Sequence, residues 1–178
     1  MRVRPLVLLA VIAAAATSRL LPHPPNFTPI AAMALFGGAY LADRRLAFAL
    51  PLAAMFVSDL ALGFHGLMFV VYAAFVLITI IGLQLRKRRT VGAVAVAAVT
   101  SSVLFFVGTN FGVWAQGSLY PQTASGLLAA YIAAIPFFRN TLAGDLFYTA
   151  VLFGGFALLE RIFPALRESE VPVRVPST

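Results

Sequence analysis

Long apolar runs, broken alternately by basic and by uncharged polar segments, constrain this chain more than any motif in it. One set of breaks is basic: Arg2 and Arg4, Asp43-Arg44-Arg45, Arg86-Lys87-Arg88-Arg89, and Arg161 through Arg174. The other set is nearly free of basic residues and holds His, Asn, Pro, Trp and Tyr. Hydrophobic residues make up 61% of the chain and charged ones only 11%, against about a quarter charged in a soluble domain. The pattern predicts a polytopic helical membrane protein with its basic side in the cytoplasm. The net charge of +7 does not point to nucleic acid. The basic residues sit in short breaks, where they meet anionic headgroups, and not along one continuous face. The absence of cysteine excludes disulfides, thiolate catalysis and thiolate metal sites.

The expected fold class is an all-α integral membrane protein of six transmembrane helices. Both termini are cytoplasmic, and a short re-entrant or interfacial helix precedes the last span. The spans run from about Pro5 to Leu21, Thr28 to Ala42, Leu46 to Gly63, Leu67 to Leu85, Val91 to Val113, and Phe138 to Phe163. Pro22-His23-Pro24-Pro25-Asn26 cannot continue a helix and forms a rigid loop. The second span is short for a bilayer core of roughly 30 Å. Gly126 to Ile135 is too short to cross and is expected to break at Pro136. Residues 1–166 form one transmembrane domain, and 167–178 a disordered cytoplasmic tail. In this layout eleven of the thirteen basic residues lie inside, and only Arg19 and Arg139 lie in the outer half. The expected location is the bacterial cytoplasmic (inner) membrane. A rival reading takes Arg2, Arg4, the apolar run and Ala13 to Ala16 as a cleavable signal peptide.

Ionisable groups within spans are costly and face a cavity or a partner. Arg19, Asp59, Arg139 and Asp145 are all expected in the outer half, with Asp145 roughly 10 Å into helix six. His23, Asn26, Thr28, His65, Asn110, Trp114, Gln116, Tyr120, Tyr131 and Asn140 join them, while the inner halves are almost wholly apolar. One-sided polarity argues against a through-channel and against a midplane carrier site between inverted repeats. It favours a pocket open to the outside. The alternative is that two Arg and two Asp pair only to pin helices one, three and six. Arg139 and Asp145, six residues apart, do not face each other on a helix.

Two histidines are too few for a metal site, and no metal or other cofactor is expected. Trp114 and Tyr120 fit an interfacial belt, with ligand stacking by Trp114 as the other reading. Ser58, Ser101 and Ser102 have no base at triad spacing. No phosphate-binding loop is present, and Lys87 is the single lysine, so the chain is not an ATPase by itself. Ala10, Ala13, Ala14 and Ala16, Gly37-Gly38 and Gly154-Gly155 allow close helix contacts. The alanine face of helix one packs internally or against another protein.

Arg19-Leu-Leu-Pro-His-Pro-Pro-Asn-Phe-Thr-Pro-Ile-Ala-Ala-Met-Ala-Leu-Phe-Gly-Gly resembles a family of uncharacterised bacterial six-helix membrane proteins, the DUF6580 family. So do Ser58-Asp59-Leu60-Ala61-Leu62-Gly63, Gly108-Thr109-Asn110-Phe111, and Pro136-Phe-Phe-Arg139-Asn140-Thr141 with Gly144-Asp145. More distantly the pattern resembles the substrate-binding S components of energy-coupling-factor (ECF) vitamin transporters. That resemblance implies an outward pocket capped by the loop between helices one and two. It also implies docking, through small residues of helix one, to a transmembrane subunit with two ATPases. The absence of cysteine puts a thiolate-dependent cobalamin mechanism out of reach. The first reading is therefore a non-enzymatic substrate-binding membrane protein for a small polar molecule such as a vitamin. Arg19, His23, Asn26, Asp59, Asn110, Trp114, Arg139, Asn140 and Asp145 line its site. Its partners are the lipid bilayer, the ligand, and an ECF-type subunit and ATPases in trans, with no nucleic acid. The second reading is a structural or assembly subunit whose buried charges only join helices. The third is a membrane enzyme using Asp59 or Asp145 as base.

Overall fold

The computed structural model describes residues 3–18 and 21–167. Among these residues the chain is all-helical, with no strand. Helix α1 spans Val3–Ser18, α2 Ile30–Tyr40, α3 Arg44–Leu62, α4 Met68–Gln84 and α5 Val91–Ala115. Helix α6, Ala124–Thr149, passes through a π-helical turn at Ala150–Gly154 into α7, Gly155–Ile162. These segments make six helical rods. Three are long and apolar enough to cross a membrane: Met68–Lys87, Val91–Ala115 and Ala124–Ile162. Arg19 and the segment after Arg167, expected to be a disordered tail, lie outside the described residues.

The sequence of α2, Ile-Ala-Ala-Met-Ala-Leu-Phe-Gly-Gly-Ala-Tyr, is apolar on every side. A helix of that kind must be enclosed on all faces. Every one of its 11 residues is buried, and it packs against α1, α3, α4, α5 and α6. At 1.5 Å per residue it is about 16 Å long, half the thickness of a hydrocarbon core. Its C-terminal end lies among the basic breaks. Arg86 donates from Nε to the Gly38 carbonyl at 2.8 Å, and its Nη2 donates to the Leu41 carbonyl. The last carbonyls of a helix are otherwise unsatisfied, and a cation there also meets the negative end of the helix dipole. Arg4 pairs with Glu160 at 3.3 Å and donates to the Leu166 carbonyl at 3.1 Å. Arg4 and Arg89 both lie over the Tyr40 ring. The start of α1, the end of α2, the α4–α5 link and the end of α7 thus meet at one end of the bundle.

Two glycines let α2 approach α4. A Cβ on Gly38 would fall 2.6 Å from the Thr79 carbonyl oxygen and 2.8 Å from backbone atoms of Gly82 and Leu83. Gly82 is crowded in the same way by the Leu35 backbone. On the other side of α2, Phe36 and Tyr40 pack against Phe153 and Phe156, with ring centroids 4.8–5.6 Å apart. The π turn carries Phe153 and leads directly to Phe156.

Two expectations are corrected, and a third is narrowed. The stretch from Gly126 to Ile135 is not a separate re-entrant or interfacial helix: α6 runs through it and through Pro136 without a break. A helix-interior proline removes one N–H, here the donor to the Ile132 carbonyl, and its ring presses on that carbonyl. Both residues lie on an exposed face, where no packed neighbour holds the backbone against a small adjustment, and apolar spans tolerate proline for such reasons. The alanines of α1 do not all face inward: Leu8, Ile12 and Ala15 are buried, while Ala10, Ala13 and Ala14 are exposed. Nor do Gly154 and Gly155 make close contacts, since a Cβ on either would meet open space.

Gly82→Ala is expected to lower stability by about 1–3 kcal/mol, the usual cost of forcing a methyl group into a packed core, because the obstructing atoms are backbone. Gly92→Ala in α5, where nothing lies within 4 Å, should be neutral or slightly stabilising. Thermal unfolding of the two variants in the same detergent checks the contrast.

Candidate functional site

The chain enters α2 through an irregular segment that lies against α6. Phe27 N donates to the Pro24 carbonyl at 3.0 Å, and Asn26 has φ +64°. Proline at the second position of this turn and a positive φ at the third define a type II turn, in which asparagine substitutes for glycine. One face of α6 receives the segment. Asn140 donates from Nδ2 to the Pro25 carbonyl at 3.0 Å. A Cβ on Gly144 would lie 3.1 Å from the Phe27 Cα and 3.2 Å from the Thr28 nitrogen. The Phe27 ring packs on Phe147 and Tyr148 at 5.8 and 5.6 Å. Positions 140, 144, 147 and 148 share one helical face by their spacing.

Because α2 is short and its entry segment bends toward α6, a space remains above its first turn. This cavity has a volume of about 350 Å³, within the range of small-molecule pockets. Asn26, Thr28, Ile30 and Ala31 form one wall, Met55 and His65 another, and Phe75, Phe105 and Phe106 a third. Phe137, Phe138, Thr141 and Asp145 complete it from α6, with Thr109 and Asn110 from α5. Asp145 is only 3% exposed. Its Oδ2 accepts from Ser102 Oγ at 2.6 Å, and no donor reaches Oδ1 among the described residues. One helical turn further on, Thr149 Oγ1 is buried without a hydrogen-bond partner.

Asp145 lies deeper than its expected 10 Å. It is the twenty-second residue of α6 and sits beside Ser102, eleven residues after the start of α5. That places it roughly 16 Å from the basic end of α5. Arg139, expected at the start of the last helix, is instead well inside α6 and exposed on its surface, where a long side chain can reach toward the headgroups.

Of the nine expected site residues, the structure brings Asn26, Asn110 and Asp145 to the cavity wall. His23 is exposed in the loop. Asp59, 2% exposed, accepts from Tyr72 Oη at 2.9 Å and ties α3 to α4 away from the cavity wall. Trp114 donates from Nε1 to the Pro121 carbonyl at 3.0 Å and closes the α5–α6 turn. Asn140 holds the entry segment rather than lining the cavity. Arg19 is outside the described residues. The five phenylalanines, Thr141 and Ser102 were missing from the expected set. Apolar rings carry no signal of their own in so apolar a sequence, and Ser102 gains its role only from a residue 43 positions away. Among the described residues no three His, Asp or Glu side chains gather as metal ligands.

The turn at Asn26 supplies a test. Asn26→Gly should keep the entry segment in place, whereas Asn26→Val should cost about 1–2 kcal/mol, since a branched residue resists the left-handed conformation. Thermal stability of the two variants distinguishes them.

No curated protein and no solved structure matches the chain. The model of the family of unknown function DUF6580 matches residues 1–166, and the chain belongs to that family.

Proposed function

We propose that this protein is a multi-pass membrane protein that binds a small molecule in a pocket reached from the outer side. The observation that carries the reading is the cavity of about 350 Å³ above α2, with the buried Asp145 in its wall. A carboxyl group in an apolar bundle is expensive. It is hard to account for by helix pinning alone when, among the described residues, only one of its oxygens has a protein donor. The orientation rests on the basic end of the bundle facing the cytoplasm, with the entry segment on the opposite side from the start of α1 and the end of α7. On this reading the membrane is the bacterial inner membrane. A role like that of an ECF S component, with a transmembrane subunit and ATPases in trans, agrees with the capped pocket and with the exposed Ala10, Ala13 and Ala14 face of α1. The competing reading, a structural subunit, is favoured by the Tyr72–Asp59 and Ser102–Asp145 hydrogen bonds, each of which joins two helices.

Two measurements test the proposal. Mass spectrometry of extracts from the purified protein should find a small molecule that is missing from Ala134→Phe, a substitution that fills the cavity wall. An identical extract from both would overturn the binding reading. For orientation, cysteines placed singly at Gln122 and Lys87 should react with an impermeant thiol reagent in intact cells at Gln122 only. Equal labelling would overturn the topology.

A further inference from the structure

We infer that the pocket takes an organic cation, an ammonium or similar N–H-bearing group on an apolar or aromatic body, with the Asp145 carboxyl as its counter-group. The inference rests on the binding reading above and adds the substrate class. Three observations on the cavity wall carry it.

The first is charge. Among the described residues the wall contains one carboxyl, Asp145, one histidine, His65, and no lysine or arginine; Arg139 is exposed on the outer surface of α6. The start of α2 also faces the cavity through Ile30 and Ala31. A helix N-terminus carries about half a positive charge, which offsets only part of the charge Asp145 bears when it pairs with a cation. The remaining field favours a cation.

The second is hydrogen-bond polarity. Thr109 Oγ1 donates to the Phe105 carbonyl at 2.7 Å, and Thr141 Oγ1 donates to the Phe137 carbonyl at 3.1 Å. A hydroxyl has one proton, so both face the cavity with acceptor capacity only. Asn110 spends one amide proton on the Phe106 carbonyl at 2.8 Å, which leaves its Oδ1 free to accept. Ser102 already serves Asp145 Oδ2, so Oδ1 remains as a fourth acceptor. Asn110 keeps a second amide proton and His65 carries a ring N–H, so the wall also holds donors, but the acceptors outnumber them and a ligand matched to Asp145 and its neighbours brings donors.

The third is the aromatic wall. Phe75, Phe105, Phe106, Phe137 and Phe138 surround the space. Ring faces attract cations and exclude water, and they suit the apolar body of such a ligand. An inorganic cation would find one carboxyl and too few oxygens to replace its hydration shell.

The test uses the full chain in lipid nanodiscs and three probes of similar shape: 4-phenylbutylamine, 4-phenylbutanol and 4-phenylbutyrate. Binding is read by calorimetry and thermal shift. The amine should bind tightest and the carboxylate weakest. Asp145→Asn should weaken the amine by roughly tenfold or more, the scale of a lost charged hydrogen bond, and leave the alcohol within a factor of a few. If Asp145→Asn fails to fold, Thr141→Val serves instead: it should weaken the amine and the alcohol and spare the carboxylate. Preference for the carboxylate, or an unchanged amine affinity in Asp145→Asn, would overturn the cation assignment and leave the binding reading standing. If none of the three binds, the cation assignment falls. The binding reading then falls as well only if the extracts of wild type and Ala134→Phe are also identical.

Discussion

Everything in this bundle follows from a helix too short to cross the medium it sits in. Helix α2 is enclosed on all sides, so the bundle itself must satisfy most of its terminal backbone groups. Its carbonyl end is satisfied by Arg86, which belongs to the basic α4–α5 link. Non-helical backbone at membrane depth is tolerated only where protein buries it or where it lines a polar cavity. The entry segment meets that condition through Asn140, Gly144 and the rings of Phe147 and Tyr148. The space above α2 is thus built into the architecture.

The polar groups around that space are ordered by ordinary helix chemistry. Threonine and serine in apolar helices return their protons to the carbonyl one turn back, as Ser101, Thr109 and Thr141 do here. Each such bond anchors a side chain and turns its lone pairs outward. Acceptors therefore accumulate on the wall while each of these hydroxyls keeps a partner for its proton, and Asp145 adds the single strong one. The same rule makes Ser102 the exception that matters: its oxygen lies near both the Ala98 carbonyl and Asp145.

Much of the fold was legible in the sequence because apolar length and charge placement are one-dimensional signals. The boundaries of α4 and α5, the loop at Pro22 to Asn26, and the gathering of basic residues at one end follow from reading along the chain. Pro136 misled, because a proline signals a break only where water or a tight neighbour enforces it. The alanines of α1 left two readings open, since small size states that a close contact is possible and not which side makes it. The site was half legible. Asp145, Asn26 and Asn110 stood out as polar groups among apolar ones. Asp59 and Trp114 stood out equally and proved to be occupied by Tyr72 and Pro121. Nothing local to either residue separates a group that ties helices together from one that lines a hollow.

The π turn at Ala150–Gly154 has a consequence for how the last rod can change. An i→i+5 turn takes in one residue more than an α turn, and one residue is worth about 100° of rotation around a helix axis. The turn thus acts as a phase adjuster between two surfaces on one rod. Upstream, Thr141 and Asp145 address the hollow; within the turn and just after it, Phe153 and Phe156 grip α2. Tightening the turn to regular α geometry would rotate one surface against the other while the aromatic grip held the lower half fixed. The upper half, with its carboxyl, would then swing away from Ser102, so the shape of the hollow is geared to the winding of a single helical turn.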